Sequence, residues 1–218
     1  MNYFAHARRF LDGNPYFVAG VALPDWLGVV DRKVRVQSKR ANPWINDADP
    51  DVVSFARGIL RHHRDDDWFH TTVAFVELSL GFAKDLRELL ADDDGARPSF
   101  LGHILVEMLL DSELISAEPA ELDRYYDVIR SLDRFKVQRM VNEMAARPTD
   151  NLAFFIERFC ELEFLYDYSD DEKLLGRLNG VMKRVNLPAL PDRLREFFPE
   201  ARRTVARRRD ELLAGETE

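Results

Sequence analysis

Apolar residues recur at helical spacing along most of the chain, whereas runs that alternate apolar and polar residues are scarce. Asp49 followed by Pro50 is typical of a helix start, and Phe55, Ala56 and Ile59 then fall on one face. Further helices are predicted at about residues 68–90, 100–114, 119–131, 133–146, 150–167, 170–185 and 199–213. We therefore predict an all-α fold, organised as a single helical domain over residues 1–218.

Residues 31–49 interrupt this pattern, because they lack apolar periodicity and contain Pro43. They hold five cations with no acid between them: Arg32, Lys33, Arg35, Lys39 and Arg40. One interpretation is a solvated loop that balances acidic neighbours. The other is a docking surface for an acidic or phosphorylated partner.

Charge and cysteine content exclude several classes of protein. A net charge of −8 argues against a general nucleic-acid binder, which would carry a dominant basic field. The single cysteine, Cys160, cannot form an internal disulfide or a cysteine-based zinc site, which favours a reducing compartment. No apolar run approaches the roughly 20 residues of a membrane span, and the first residues lack the layout of a secretory signal. We therefore expect a soluble, cytoplasmic protein.

All five histidines lie within the first 103 residues. Two of these histidines and one acidic residue are spaced as metal ligands on one helix would be. His62, Asp66 and His70 stand at i, i+4 and i+8, so they would form one ridge if the helix continues through Trp68. Imidazole nitrogens and carboxylate oxygens suit zinc, manganese, iron or nickel. The alternative is an exposed histidine–acid pair.

A later helix repeats this spacing with His103, Glu107 and Asp111. Its other residues are almost all apolar, so we expect the helix to be buried. Buried histidines and acids are costly unless they are paired or metal-bound. Two such helices packed side by side would bring together up to six ligands, enough for a one- or two-metal centre. The alternative is a buried hydrogen-bond network.

Two residues nearer the start of the chain are further candidates. Asp25 lies in the apolar stretch 17–27, where an unpaired carboxylate would be costly. It would otherwise cap a short helix that begins at Trp26. His6 would be either a metal ligand or a core histidine packed between aromatic residues.

Three motifs then follow one another within residues 1–115. The first is Met-Asn-Tyr-Phe-Ala-His at residues 1–6, the second places Asp25 five residues after Gly20, and the third is Gly-Ile-Leu-Arg-His-His-Arg-Asp-Asp at residues 58–66. In this order they resemble the motifs of the acyl carrier protein phosphodiesterase family, an all-helical family related to the HD-domain metal hydrolases. The remaining part, residues 116–218, resembles that family only in being helical.

The resemblance implies a divalent-metal phosphodiesterase that removes the phosphopantetheine arm from acyl carrier protein, on a fold related to the HD-domain phosphohydrolases. It implies metal ligands near the start of the chain and on two helices: Asp25, His62, Asp66 and Asp111, with His6 and Glu107 nearby. The chain departs from the family pattern at Val21, Asp65 and Ser112, where the family has asparagine, isoleucine and histidine. His70 and His103 would supply additional ligands.

The implied cofactor is manganese, iron or zinc, which would acidify a bound water and stabilise charge on phosphate oxygens. Glu107 or His63 would act as general base or acid. Arg61 or Arg64 would hold the phosphate through paired donors; alternatively, both arginines are simply exposed on their helix. The substrate would be an acidic carrier protein or a small phosphodiester.

A second hypothesis assigns no catalysis to the chain. It would then be a helical binding or scaffold protein that retains a cluster of histidines and acids for metal binding or structure. A nucleophilic cysteine is not expected, because Cys160 lies far along the chain from every histidine and is predicted to be a small buried residue.

Overall fold

The computed structural model describes residues 1–93 and 95–215, and within these ranges it contains helices and no strand. The predicted all-α class is therefore confirmed, whereas the relation to the HD-domain fold stays a prediction. The α-helices are α1 (Tyr3–Ala7), α2 (Pro15–Val30), α3 (Ser38–Ala41), α4 (Pro50–Phe69), α5 (Val73–Leu89), α6 (Pro98–Ala117), α7 (Pro119–Arg130), α8 (Arg134–Met144), α9 (Leu152–Leu162), α10 (Asp171–Arg184), α11 (Phe198–Arg207) and α12 (Arg209–Leu212). None of these helices is long and apolar enough to span a membrane.

Short 3₁₀ segments connect several helices: Arg8–Phe10, Asn42–Asn46, Phe164–Ser169 and Asp192–Phe197. The second of these, together with α3, lies inside residues 31–49, so the prediction of a non-helical segment there was wrong in part. Val34 and Val36 are buried and attach this segment to the core. Lys39 and Arg40 are exposed on α3, as expected for its cations.

Three of the differences from the predicted helix boundaries concern the candidate site residues or have a local cause. α4 runs to Phe69 and α5 begins only at Val73, because Thr72 Oγ1 accepts the Phe75 N–H at 3.2 Å and caps the new helix. α9 ends at Leu162, since the next residue, Glu163, takes the left-handed conformation at φ 43°. α2 continues through Pro24, so the alternative in which Asp25 caps a helix starting at Trp26 was wrong.

The chain divides into two compact units. The first unit comprises Asn2–Asp67 and Glu118–Glu163, and the second comprises Met1, Trp68–Ala117 and the chain from Phe164 onward. The boundary between Asp67 and Trp68 falls near the end of α4. The single domain over residues 1–218 stays a prediction.

The core of the first unit is aromatic. Trp26 from α2 packs edge-on against Phe159 from α9 at 5.7 Å between ring centroids, and Tyr125 from α7 packs against Phe4 from α1 at 6.3 Å. All four side chains are fully buried. Burying one such side chain stabilises the fold by about 1.5–3 kcal/mol, so this cluster holds α1, α2, α7 and α9 together.

The second unit is built around α6, which packs along α5 and also meets α11 and the segment Phe164–Ser169. The approach of α5 is close at Gly102, where a Cβ atom would lie 2.5 Å from the Ser79 carbonyl oxygen. Most of α6 is buried, as its apolar composition predicts. His103 and Glu107 are among the exceptions, because both keep part of their surface exposed.

Candidate metal sites

Three helices of the first unit bring His6, Asp25 and His62 together. One ligand atom from each lies within 4.8 Å of the other two. His6 comes from α1, Asp25 from α2 and His62 from α4, and the two imidazole rings stack at 4.1 Å between centroids. Both histidines are buried, with 1% and 3% of their surface exposed, whereas Asp25 is partly buried. This group could hold a metal ion.

The orientation of His62 is set by a backbone carbonyl. Its Nδ1 lies 2.8 Å from the carbonyl oxygen of Val21, and because a carbonyl can only accept, Nδ1 donates. Nε2 of the neutral ring then carries the lone pair, which is the arrangement found in metal-binding histidines. The interaction uses the main chain of Val21, so it does not depend on the side chain at that position.

Asp66 contacts both imidazoles. Its Oδ1 lies 3.2 Å from His6 Nε2 and its Oδ2 lies 3.3 Å from His62 Nε2. Burial alone would raise the pKa of Asp66, but the contacts with His6 and His62 outweigh burial and hold the pKa far below its ordinary value. A carboxylate that faces the Nε2 lone pair of His62 needs a cation between the two groups, either a proton or a metal ion.

His6 reinforces this requirement. Among the described residues, neither of its ring nitrogens makes a hydrogen bond of regular geometry, although the side chain is buried. Buried polar groups are almost always satisfied by a hydrogen bond, a water or a bound ion. The chemistry of the donor set and the irregular geometry of the His6 contacts therefore both fit a divalent cation.

Asp65 belongs to a buried ion pair on α4. Arg61 Nε lies 2.7 Å from Asp65 Oδ1 and 2.8 Å from Oδ2, one helical turn away on α4. The guanidinium also lies over the Phe10 ring. Arg61 is 5% exposed and Asp65 2%, so the interpretation of Arg61 as an exposed helix arginine was wrong. The two charges compensate each other, which permits an acid at this buried position.

A second group lies in the second unit. His70 Nε2 lies 2.9 Å from Glu107 Oε1, and His103 Nε2 lies 3.5 Å from the same oxygen. One ligand atom from each of these three residues lies within 4.8 Å of the others, so this group too could hold a metal ion. Burial would raise the pKa of Glu107, but the amino group of Met1 at 3.3 Å and the two histidines keep the pKa below its ordinary value.

The structure thus divides the first predicted triplet. His62 lies with His6 and Asp25, and Asp66 contacts both histidines, whereas His70 lies with His103 and Glu107. α4 continues through Trp68, as the predicted ridge of His62, Asp66 and His70 required, but it ends at Phe69, so His70 lies just beyond the helix. A single shared metal centre stays a prediction.

Three predicted site residues lie outside both groups. Asp111 is fully buried within α6. His63 Nε2 donates to the Val36 carbonyl oxygen at 3.0 Å, and Arg64 is exposed on α4. The main-chain carbonyl of Val21 was missed by sequence reasoning, because no side-chain pattern marks a carbonyl that orients a ligand.

We found no match when the chain was compared with protein-family models, with curated proteins and with solved structures.

Proposed function

We propose that the protein is a metal-dependent phosphodiester hydrolase whose ion is held by His6, Asp25 and His62. The observation that carries the proposal is the convergence of these three side chains from three helices, with buried imidazoles of which one has no regular hydrogen bond. In a tetrahedral zinc site with bonds near 2.0–2.1 Å, neighbouring ligand atoms stand about 3.4 Å apart. The separations of 3.2 and 3.3 Å from Asp66 to the two imidazoles are compatible with this spacing, so Asp66 is a further candidate ligand, and an ion that takes more than four ligands, such as manganese, would then keep a position open for water.

The residues around this group supply the other requirements of hydrolysis. A bound manganese, iron or zinc ion supplies Lewis-acid charge that acidifies water and stabilises phosphate oxygens. Asp66 keeps 31% of its side chain exposed, so water and substrate can approach from that edge. His63 donates Nε2–H to Val36, which leaves the Nδ1 lone pair of the neutral ring for a general base. Arg64 is exposed and can bind a phosphate through paired donors.

The basic segment supports an acidic substrate. Lys39 and Arg40 are exposed and line an open cleft of about 410 Å³ together with Trp44. An acidic carrier protein would be attracted by these cations despite the overall net charge of −8. The resemblance to acyl carrier protein phosphodiesterases favours that substrate, and a small phosphodiester is the simpler alternative.

A structural role for the ion is the second candidate function. It is favoured by the burial of His6 and His62, since structural metal sites are closed whereas catalytic sites keep an open position. In that case the ion ties α1, α2 and α4 together, and the protein is a helical binding or scaffold protein.

Metal analysis with a panel of phosphodiesters tests the proposal. Protein reconstituted with manganese, iron or zinc should hydrolyse at least one phosphodiester, and the His62→Gln and Asp25→Asn variants should lose the ion held by this group together with turnover. His63→Gln is the matched control for metal content, because this neighbouring histidine belongs to neither group. A fully loaded protein without turnover on any substrate, including an acyl carrier protein, would favour the scaffold.

A further inference from the structure

The residues His70, His103 and Glu107 are held in place by local structure. His70 lies in the turn between α4 and α5, where Thr71 N and Thr72 N donate to the carbonyls of Trp68 and Phe69. His103 and Glu107 stand one turn apart on α6. None of these contacts involves His6, Asp25 or His62.

Aromatic packing orients both imidazoles. The Phe75 ring lies 4.9 Å from His70 and 4.9 Å from His103, centroid to centroid, and the two imidazoles lie 4.8 Å from each other. Phe75 is buried, so it forms a rigid wall behind the two rings. Both Nε2 atoms consequently point at one carboxylate oxygen, Glu107 Oε1.

This convergence exceeds what an ordinary histidine–acid pair requires. One imidazole is enough to satisfy an oxygen of Glu107, yet two imidazoles and the Met1 amino group at 3.3 Å all approach Oε1. The separations of 2.9 and 3.5 Å bracket the roughly 3.4 Å between neighbouring ligands of a tetrahedral zinc ion. Two imidazoles with one carboxylate is a ligand set used by catalytic zinc sites.

The group is also accessible. His103 keeps 44% of its side chain exposed, His70 32% and Glu107 16%. Three protein ligands open to solvent leave a fourth position for water or an anionic ligand. An ion can therefore enter from solvent without opening the fold.

We infer that His70, His103 and Glu107 form a second divalent-metal site, which binds zinc-type transition metals through three protein ligands and keeps one position open. The site is independent of the proposed function, because it shares no ligand with the first group. The chain would then bind two ions, one in each unit.

Zinc titration of the metal-free full-length protein tests this site, with bound zinc measured by mass spectrometry after dialysis. The wild type should bind two zinc ions, and His103→Ala and Glu107→Gln should each retain one. Cobalt substitution should give visible absorption from both ions, and these two variants should lose a different component of it from the one lost in His62→Gln. His63→Ala and Glu113→Gln are matched controls, since they remove a histidine and an α6 glutamate outside the group.

The outcomes separate this site from the first one. Wild-type zinc content in both His103→Ala and Glu107→Gln would overturn the second site, whatever the first group binds. A single ion that is lost only in His62→Gln would also overturn it while leaving the first group in place. A variant is compared only if its circular dichroism spectrum is native, and one folded variant is sufficient. The conservative His103→Asn variant replaces His103→Ala if the latter unfolds.

Discussion

Gly20 and Gly58 face each other where α2 crosses α4, and a Cβ atom on Gly58 would stand 3.0 Å from the Cα of Gly20. On Gly20, a Cβ atom would stand 2.1 Å from the Phe55 carbonyl oxygen. No side chain fits at either position without moving one helix. The same crossing brings the Val21 carbonyl onto His62, four residues beyond Gly58, so the two glycines determine the geometry of the first metal group.

Replacing Gly20 with alanine should therefore weaken both the fold and metal binding. We expect the free energy of unfolding to fall by about 1–3 kcal/mol or more, because the added methyl group overpacks the crossing. Gly28→Ala is the matched control on the same helix, since nothing lies within 4 Å of its Cβ position. Alanine there should stabilise α2 by about 0.5–1 kcal/mol. Urea denaturation measures both values, and equal effects of the two substitutions would contradict the close crossing.

The buried pair of Arg61 and Asp65 gives a second prediction. Asp65→Asn should reduce the free energy of unfolding by about 3–5 kcal/mol, because it leaves the Arg61 guanidinium buried without its counter-charge. The double variant Arg61→Met with Asp65→Ile should recover most of this loss, since it removes both charges. Asp127→Asn serves as the control, because its ion pair with Arg130 is exposed. Failure of the double variant to recover stability would mean that the pair does more than compensate its own charges.

Asp66 should contribute to metal affinity at the first group. Asp66→Asn keeps the size of the side chain but removes the charge that faces His6 and His62. We expect a loss of about 10–100-fold in metal affinity, the range seen when a group supporting a metal site is removed. Calorimetric titration measures this loss, and Asp85→Asn on the exposed face of α5 controls for net charge. Unchanged affinity in Asp66→Asn would show that Asp66 is only an ion-pair partner of the histidines.

Reversing the charge of Arg35, Lys39 and Arg40 to glutamate should separate the two substrate classes. Turnover of an acidic carrier protein should fall most at low salt, because electrostatic steering is screened as ionic strength rises. Turnover of a small phosphodiester with a neutral leaving group should be nearly unchanged. Steady-state kinetics at two salt concentrations measures both. An equal loss on the two substrates would indicate that the segment supports the fold, and no loss on either would make it a solvated surface.

Cys160 should react slowly with alkylating reagents. Burial raises the pKa of its thiol to about 11, which the nearby Arg130 only partly opposes. A raised pKa keeps the thiol protonated at neutral pH, and only the thiolate reacts. The alkylation rate should therefore keep rising with pH well beyond pH 9, where an ordinary cysteine levels off. A rate that levels off near pH 8 would contradict this environment and reopen a role for Cys160 as a nucleophile.

His62 and His70 belong to different groups of candidate ligands, and the sequence pattern predicted only part of this arrangement. The spacing of His62 and Asp66 predicted their contact, because residues four apart on a helix always share a face. The same rule failed for His70, since Thr72 caps a new helix and α4 ends first. Capping by Thr72 is a local signal, but the helix predicted over residues 68–90 placed this turn inside a helix.

The sequence by itself determined the helical class and the pairs within one helix: His62 with Asp66, and His103 with Glu107. Both follow from the 3.6-residue period, which acts over a few neighbouring positions. Only the tertiary structure decided which residues from other segments complete each group. His6 and Asp25 reach His62 because α2 and α4 cross at two glycines, and His70 reaches Glu107 because a turn directs it toward α6. These contacts depend on the distance between packed helices, and the spacing of residues along the chain does not determine that distance.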